Sequence, residues 1–136
     1  MSHRWLFKTE PTAYSFQQLE KDRRTVWDGV KNALALKHLS GIQKGDWILV
    51  YHTGNEKAAV GVARALGGPY PDPKKRESRL LVVEVEPAKP LSRPVTLAEM
   101  KASAKLKGFD LVRLPRLSVM PVSSEQWKII EEMAGR

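Results

Sequence analysis

The sequence predicts an α+β domain in which a twisted sheet or barrel of about five to six strands carries short peripheral helices. Two observations lead to this prediction. Strand-like segments and short amphipathic helices alternate without the regular strand–helix–strand order of a parallel α/β protein. The 136 residues are enough for one hydrophobic core, and neither an internal repeat nor a long linker divides them. We therefore expect a single domain over residues 1–136.

Five segments are typical of β-strands because they are rich in β-branched and aromatic residues and are bounded by turn residues. The second is apolar on both faces, as in a buried strand. In the third, small residues occupy every second position from Ala59 to Ala65, which predicts a close backbone approach or a cavity on that face. The fourth is expected to end at Pro87. The segments are 4–8, 46–52, 58–66, 79–87 and 116–122.

Four helices are predicted, three of them from their first residues. In these three, Ser or Thr at the N-cap is followed three residues later by Gln or Glu, as in a capping box. The fourth has apolar residues on one face and is followed by Gly41, where a left-handed residue is expected. The three capped helices are 15–22, 96–103 and 123–134, and the fourth is 31–40.

The charge of the chain favours a polyanionic partner. It has 23 Lys and Arg against 15 Asp and Glu, a formal net charge of +8. On a small domain such an excess is typical of nucleic-acid binding, although a solvated basic face without a partner is the alternative. The sequence contains no cysteine, so disulfides and thiolate–zinc sites are excluded. The histidines lack metal-ligand spacing, so we expect neither a metal nor a cofactor.

The apolar segments are too short to cross a membrane, and the N-terminal residues do not resemble a signal peptide. We therefore expect an intracellular protein that does not bind membranes. The cytoplasm is the expected compartment, with the nucleoid or nucleus as alternatives. A monomer is the expected state.

The hexapeptide WDGVKN (27–32) leaves the role of its tryptophan open. The other three tryptophans fall on clear strand or helix faces, where core packing suits them. Trp27 precedes the turn-forming pair Asp28–Gly29 at an irregular junction. It is either a core residue or the stacking wall of a pocket for a planar ligand, with Asn32 as a polar contact.

The segment KTEP (8–11) places three polar side chains where the first strand ends. In one interpretation they are ordinary strand-end residues. In another, Lys8, Thr9 and Glu10 supply donors and acceptors at a pocket mouth. Burial could also lower the pKa of the lysine enough to make it a nucleophile, with the other two as acid–base groups.

Seven motifs, taken in order along the chain, resemble the EVE domain family: WLFKTEP, WDGVKN, KGDWILVYHTG, VGVA, YPDP, RPVTLAEMK and RLSVMPV. The resemblance extends from Trp5 to about Trp127. It implies a PUA-like fold, an open β-barrel with short helices, related to YTH and ASCH domains. It also implies a small pocket for a modified nucleobase and no known catalytic activity.

The resemblance also implies which residues form the pocket. Thr9 stands where serine is commoner in the family, and Lys31 stands where arginine is commoner. Residues 33–39 lack the Arg-Asn pair that often follows this motif, so no contact is assigned to that helix. The implied pocket residues are Lys8, Thr9, Trp27, Asn32, Tyr51, His52, Ser118, Val119 and Met120.

The leading hypothesis is a non-catalytic domain that binds DNA or RNA and holds one modified base, flipped or single-stranded. Basic residues near the pocket would contact phosphates. One alternative is an amidohydrolase that acts on a modified nucleoside through residues 8–10, and another is a protein-interaction domain. The residues expected to contact phosphates are Lys74, Lys75, Arg76, Lys105, Lys107, Arg113 and Arg116.

Overall fold

One curled mixed sheet forms the centre of the computed structural model, which describes residues 3–135. The strand order is β2-β6-β4-β3-β1-β7, and β5 pairs with β6. β1 runs parallel to β3, and the other strand pairs are antiparallel. The strands are β1 (Arg4–Thr9), β2 (Thr25–Trp27), β3 (Trp47–His52), β4 (Ala58–Ala65), β5 (Tyr70–Pro71), β6 (Leu81–Thr96) and β7 (Val119–Pro121).

The predicted fold class is confirmed, because a curled sheet carries short helices on its periphery. All five predicted strands are present. β2 and β5 were not predicted, since segments of three and two residues are too short to show an alternating pattern.

The helices begin where their capping residues predicted. The side chains of Ser15, Thr96 and Ser123 each accept a hydrogen bond from the backbone N–H three residues later. The latter two form complete capping boxes. The helices are α1 (Phe16–Asp22), α2 (Ala33–Leu39), α3 (Leu97–Ala102), α4 (Asp110–Arg113) and α5 (Ser124–Met133), with a 3₁₀ turn at Ala104–Leu106.

Gly41 does not adopt the left-handed conformation expected of it, and α2 ends instead at Ser40 with φ −63°. A Cβ atom on Gly41 would lie 3.4 Å from the outer edge of the Trp5 ring. The glycine therefore accommodates a tight contact with Trp5 rather than a left-handed helix end.

The strand expected to stop at Pro87 continues to Thr96. Pro87 pairs with Ala63 and Pro90 pairs with Gly61, and both lie beside shifts in the register of β4 and β6. Bulges tolerate proline because the ladder is already interrupted there. The long β6 therefore passes its prolines and leads directly into α3.

The small residues of β4 allow a helix to pack closely on the sheet. Gly61 lies under the ring of Phe16, and a Cβ atom at this position would fall 2.4 Å from the ring. Phe16 is the first residue of α1 and is 1% exposed. The close approach predicted for this face is therefore made by a side chain, which fixes the start of α1 over the sheet.

Gly61→Ala is expected to destabilise the protein by about 1–3 kcal/mol, because the added methyl group overpacks the contact with Phe16. Thermal or urea unfolding measures the change. The matched control is Gly67→Ala, where a Cβ atom meets nothing within 4 Å and the backbone is not left-handed. Equal stabilities for the two variants would contradict the packing argument.

Candidate functional site

A cavity of about 750 Å³ opens where β1 ends, between β1, β2 and the turn after β5. This volume is in the usual range for small-molecule and cofactor sites. We call it the Trp27 cavity. Its lining residues are Lys8, Thr9, Glu10, Ala13, Tyr14, Thr25, Val26, Trp27, Asp28, Tyr70, Asp72, Pro73 and Lys74.

Trp27 is both a wall of this cavity and a buried residue. It is the last residue of β2, where it pairs with Val83, so the expectation of an irregular junction is wrong. Its ring is 5.2 Å from that of Phe7 and lies edge-on to Tyr14 at 6.3 Å, measured between ring centroids. Only 8% of Trp27 is exposed. These contacts hold the indole in a fixed orientation at the cavity.

Lys8 also lines the cavity, with its charge partly withdrawn from water. Its Nζ donates a hydrogen bond of 2.8 Å to the carbonyl of Pro115 and lies 5.8 Å from the centroid of the Tyr51 ring. Burial lowers the pKa of Lys8 and raises the pKa of Tyr51. Lys8 therefore connects the cavity to the segment that precedes β7.

The other two residues of the proposed catalytic set are engaged in local hydrogen bonds. Thr9 Oγ1 donates to a backbone carbonyl in the loop before α1 at 2.7 Å. The Glu10 carboxylate accepts hydrogen bonds from the hydroxyl groups of Thr12 and Thr53, at 3.1 and 3.3 Å. Within the described residues, no hydrogen bond joins the side chains of 8–10 to one another. They line one cavity but do not form a relay.

The lining of the Trp27 cavity is not positively charged. Three carboxylates and two lysines contribute to it, so acidic groups outnumber basic ones. A phosphate-binding site would need the opposite balance. The arrangement suits a neutral planar ligand with hydrogen-bonding groups. The charged members are Glu10, Asp28, Asp72, Lys8 and Lys74.

Six of the nine residues implied for the pocket lie outside this lining, and two of them have structural partners that explain their positions. Asn32 Oδ1 accepts a hydrogen bond from the N–H of Ala35 and caps α2. His52 is 2% exposed, accepts from the N–H of Phe16 at Nε2, and contacts Glu56 through Nδ1 at 2.8 Å. The six are Asn32, Tyr51, His52, Ser118, Val119 and Met120.

Residues 118–120 bond to β1 on one side, and β7 is the terminal strand of the sheet. The carbonyl of Ser118 accepts a hydrogen bond from the N–H of Lys8 at 3.0 Å. Val119 and Met120 pair with β1 and are fully buried. The backbone groups of this segment that face β1 are therefore occupied by the sheet. Ligand contacts from these three residues stay a prediction.

The basic residues predicted to contact phosphates form two segments, 74–76 and 105–116, which lie on different parts of the surface. Lys74 lines the Trp27 cavity, and Lys75 and Arg76 are exposed beside it. Lys105 and Lys107 are exposed near a second cavity of about 360 Å³, whose lining includes Gly108 and Asp110. Arg113 binds Asp110 at 2.8 Å, whereas exposed Arg116 follows the Pro115 carbonyl that Lys8 contacts. Lys74 is therefore the predicted phosphate ligand nearest the Trp27 cavity.

Several cavity residues were not assigned from the sequence. The motif YPDP (70–73) carried the signal, because three of its four residues line the cavity: Tyr70, Asp72 and Pro73. Tyr14, Thr25 and Val26 gave no sequence signal of their own, and Asp28 was assigned only to the turn after Trp27. Across residues 3–135 no group of three or more potential metal ligands occurs. In the same residues no helix has the length and apolar character needed to cross a bilayer.

The architecture is that of a PUA-like fold, an open curled sheet with short helices. The sequence model of the EVE domain matches residues 3–133, and the chain belongs to this family. A similar structure is that of a Rhodopseudomonas palustris protein solved by NMR, with 36% identity, a TM-score of 0.92 and coverage of 98% of this chain and 93% of the other.

Human thymocyte nuclear protein 1 is 25% identical over 96% of this chain and 73% of its own length. The crystal structure of the human protein in complex with DNA containing 5-methylcytosine has a TM-score of 0.91, at 24% identity and 99% coverage of both chains. An ASCH protein from Zymomonas mobilis has a TM-score of 0.62 and 12% identity, with 96% and 94% coverage, which relates the folds alone.

Trp27→Ala is expected to destabilise the protein by about 3 kcal/mol, because it removes buried contacts with Phe7 and Tyr14. Val26→Ala is the matched control on the same strand, since Val26 is 44% exposed. It should change the free energy of unfolding by about 0.5 kcal/mol or less. Chemical denaturation compares the two variants, and a fully stable Trp27→Ala protein would show that the indole is not a packing residue.

Proposed function

We propose that this domain binds nucleic acid without catalysing a reaction and holds one modified base, flipped or single-stranded, in the Trp27 cavity. The observation that carries the proposal is a fixed, buried indole that forms one wall of a cavity large enough for a base, with polar groups around it. The family and the human relative in complex with 5-methylcytosine DNA support it.

The character of the cavity favours a base over a phosphate or an apolar ligand. Extruding a base from a duplex costs a few kcal/mol, and less for a single strand. Stacking on an aromatic ring returns about 1–3 kcal/mol per base. In this proposal Trp27 supplies the stacking surface, while the threonines, tyrosines and carboxylates of the lining pair with a base edge. The excess of acidic groups disfavours a phosphate inside the cavity.

The phosphates belong outside the cavity, on the basic surface. Lys74 stands at the rim, with Lys75 and Arg76 beside it, so the backbone next to the held base can meet these side chains. Lys105 and Lys107 would contact phosphates farther along the strand. Such contacts contribute affinity and position the strand, whereas groups inside the cavity select the base.

A hydrolase acting on a modified nucleoside is the second candidate, favoured by one observation. Lys8 lines the cavity and burial lowers its pKa, which is typical of nucleophilic lysines. Thr9 donates its proton to a backbone carbonyl, so it lacks an activating base. Acylated nucleosides should therefore remain intact with the purified protein. Hydrolysis that disappears in Lys8→Met would establish the hydrolase instead.

The stacking role of Trp27 is tested by replacing the indole with an aliphatic side chain. Trp27→Leu keeps an apolar group in the core but removes the stacking surface. Affinity for an oligonucleotide with one 5-methylcytosine should fall by about tenfold, within the range of one lost stacking contact. Fluorescence anisotropy measures the affinity. Trp47→Leu is the control, since Trp47 contacts Arg64 and lies outside the cavity lining. Unchanged binding by Trp27→Leu would reject the proposed function.

The path of the backbone is tested with paired lysine variants. The double variant Lys74→Ala/Lys75→Ala should bind single strands with a shallower salt dependence. The slope of log K against log salt concentration should fall by about 1.4, which corresponds to two lost phosphate contacts. This should hold for short and long oligonucleotides, with the preference among bases unchanged. Lys105→Ala with Lys107→Ala should flatten the slope only for long oligonucleotides. Salt slopes identical to those of the unmodified protein in both double variants would place the strand elsewhere.

A further inference from the structure

Asp72 differs from the other two carboxylates of the Trp27 cavity. It is 8% exposed, whereas Glu10 and Asp28 are exposed residues. The Glu10 carboxylate already accepts hydrogen bonds from two threonine hydroxyls. Asp72 is therefore the one buried carboxylate among the described residues of the lining. A buried carboxylate needs donors, because each oxygen accepts hydrogen bonds and donates none.

The turn that carries Asp72 holds its side chain in place. Oδ1 accepts a hydrogen bond of 2.9 Å from the N–H of Lys74. The N–H of Asp72 donates to the carbonyl of Leu80 at 2.8 Å, and the carbonyl of Asp72 accepts from the N–H of Lys75 at 3.1 Å. These two hydrogen bonds fix the backbone of Asp72. One carboxylate oxygen is thus committed to the turn, and the residue cannot easily rotate away.

The second oxygen, Oδ2, is left for another donor. Within residues 3–135 it has no hydrogen-bond partner, and no cationic side chain lies within 4 Å of the carboxylate. Within the described residues, two fully enclosed side-chain atoms lack a hydrogen-bond partner, Arg4 Nε and His38 Nε2. Asp72 Oδ2 is not one of them. Oδ2 therefore keeps some accessible surface, on a residue that lines the cavity.

We propose that Asp72 accepts a hydrogen bond from the exocyclic amino group of the held base. The cavity then selects amino-bearing pyrimidines, cytosine and its ring-modified forms, over uracil and thymine. In uracil and thymine a carbonyl oxygen replaces the amino group and would face the carboxylate, leaving two acceptors opposed. This inference rests on the proposed function and names the class of base that the cavity takes.

The test needs no variant at first. One single-stranded oligonucleotide carries, at one position, 5-methylcytosine, thymine or N4,N4-dimethyl-5-methylcytosine. The protein should bind the first at least about tenfold more tightly than the other two, because only the first carries an exocyclic amino N–H that can donate to Asp72. Equal binding of 5-methylcytosine and thymine, or full tolerance of the dimethylamino base, would overturn the inference.

Asp72→Asn then assigns the preference to this residue. Asparagine can still accept the hydrogen bond from Lys74 N–H, while the other end of its amide becomes a donor. The ratio of affinities for 5-methylcytosine and thymine should fall to about one or invert. Glu77→Gln is the control, since it removes the same charge from the same loop at an exposed position and should keep the ratio.

The outcomes separate this inference from the proposed function. If Trp27→Leu weakens binding but Asp72→Asn keeps the ratio of the unmodified protein, base stacking stands and the role of Asp72 is overturned. If no oligonucleotide depends on Trp27, the proposed function fails and the inference fails with it. Melting temperatures identify a variant that does not fold, in which case the comparison of the three bases by the unmodified protein decides.

Discussion

The parallel pairing of β1 with β3 is the constraint on which the rest of the fold depends. Parallel neighbours cannot be joined by a hairpin, so the chain between them must cross the sheet. Residues 10–46 make this connection and carry α1, β2 and α2 with them. The crossing sets Phe16 on Gly61 and brings Trp27 against Phe7. The cavity beside the end of β1 is therefore a product of the topology.

The Trp27 indole stabilises the core and forms a cavity wall at once. A residue with both roles is positioned by packing, so its orientation needs no rearrangement when a planar ligand enters. His52 contributes to the same frame from the end of β3, since it accepts the N–H of Phe16 and holds the start of α1. A residue that the sequence suggests as a ligand contact, such as His52, can thus support the site without lining the cavity.

The sequence predicts features whose cause is local and misses features that need a partner. The capping residues placed the starts of α1, α3 and α5 because each cap is satisfied within one helical turn. The strand end predicted at Pro87 was wrong, because β6 tolerates this proline at a register shift against β4. In the site, Lys8, Thr9 and Trp27 were placed at the cavity by their motifs. Asp72 was missed because its burial depends on tertiary packing of a loop that looks exposed.

The strands at the two ends of the sheet, β2 and β7, each have only three residues. A sheet edge exposes unpaired backbone groups that can pair with another chain, and the number of such bonds grows with the length of the edge. Short terminal strands therefore give self-association through β-pairing little to build on. β6 adds a further edge, because β5 and β2 cover its outer side only from Leu81 to Val85. Pro87, Pro90 and Pro94 lie in the uncovered part of β6, and proline lacks the N–H that strand addition at an edge would need.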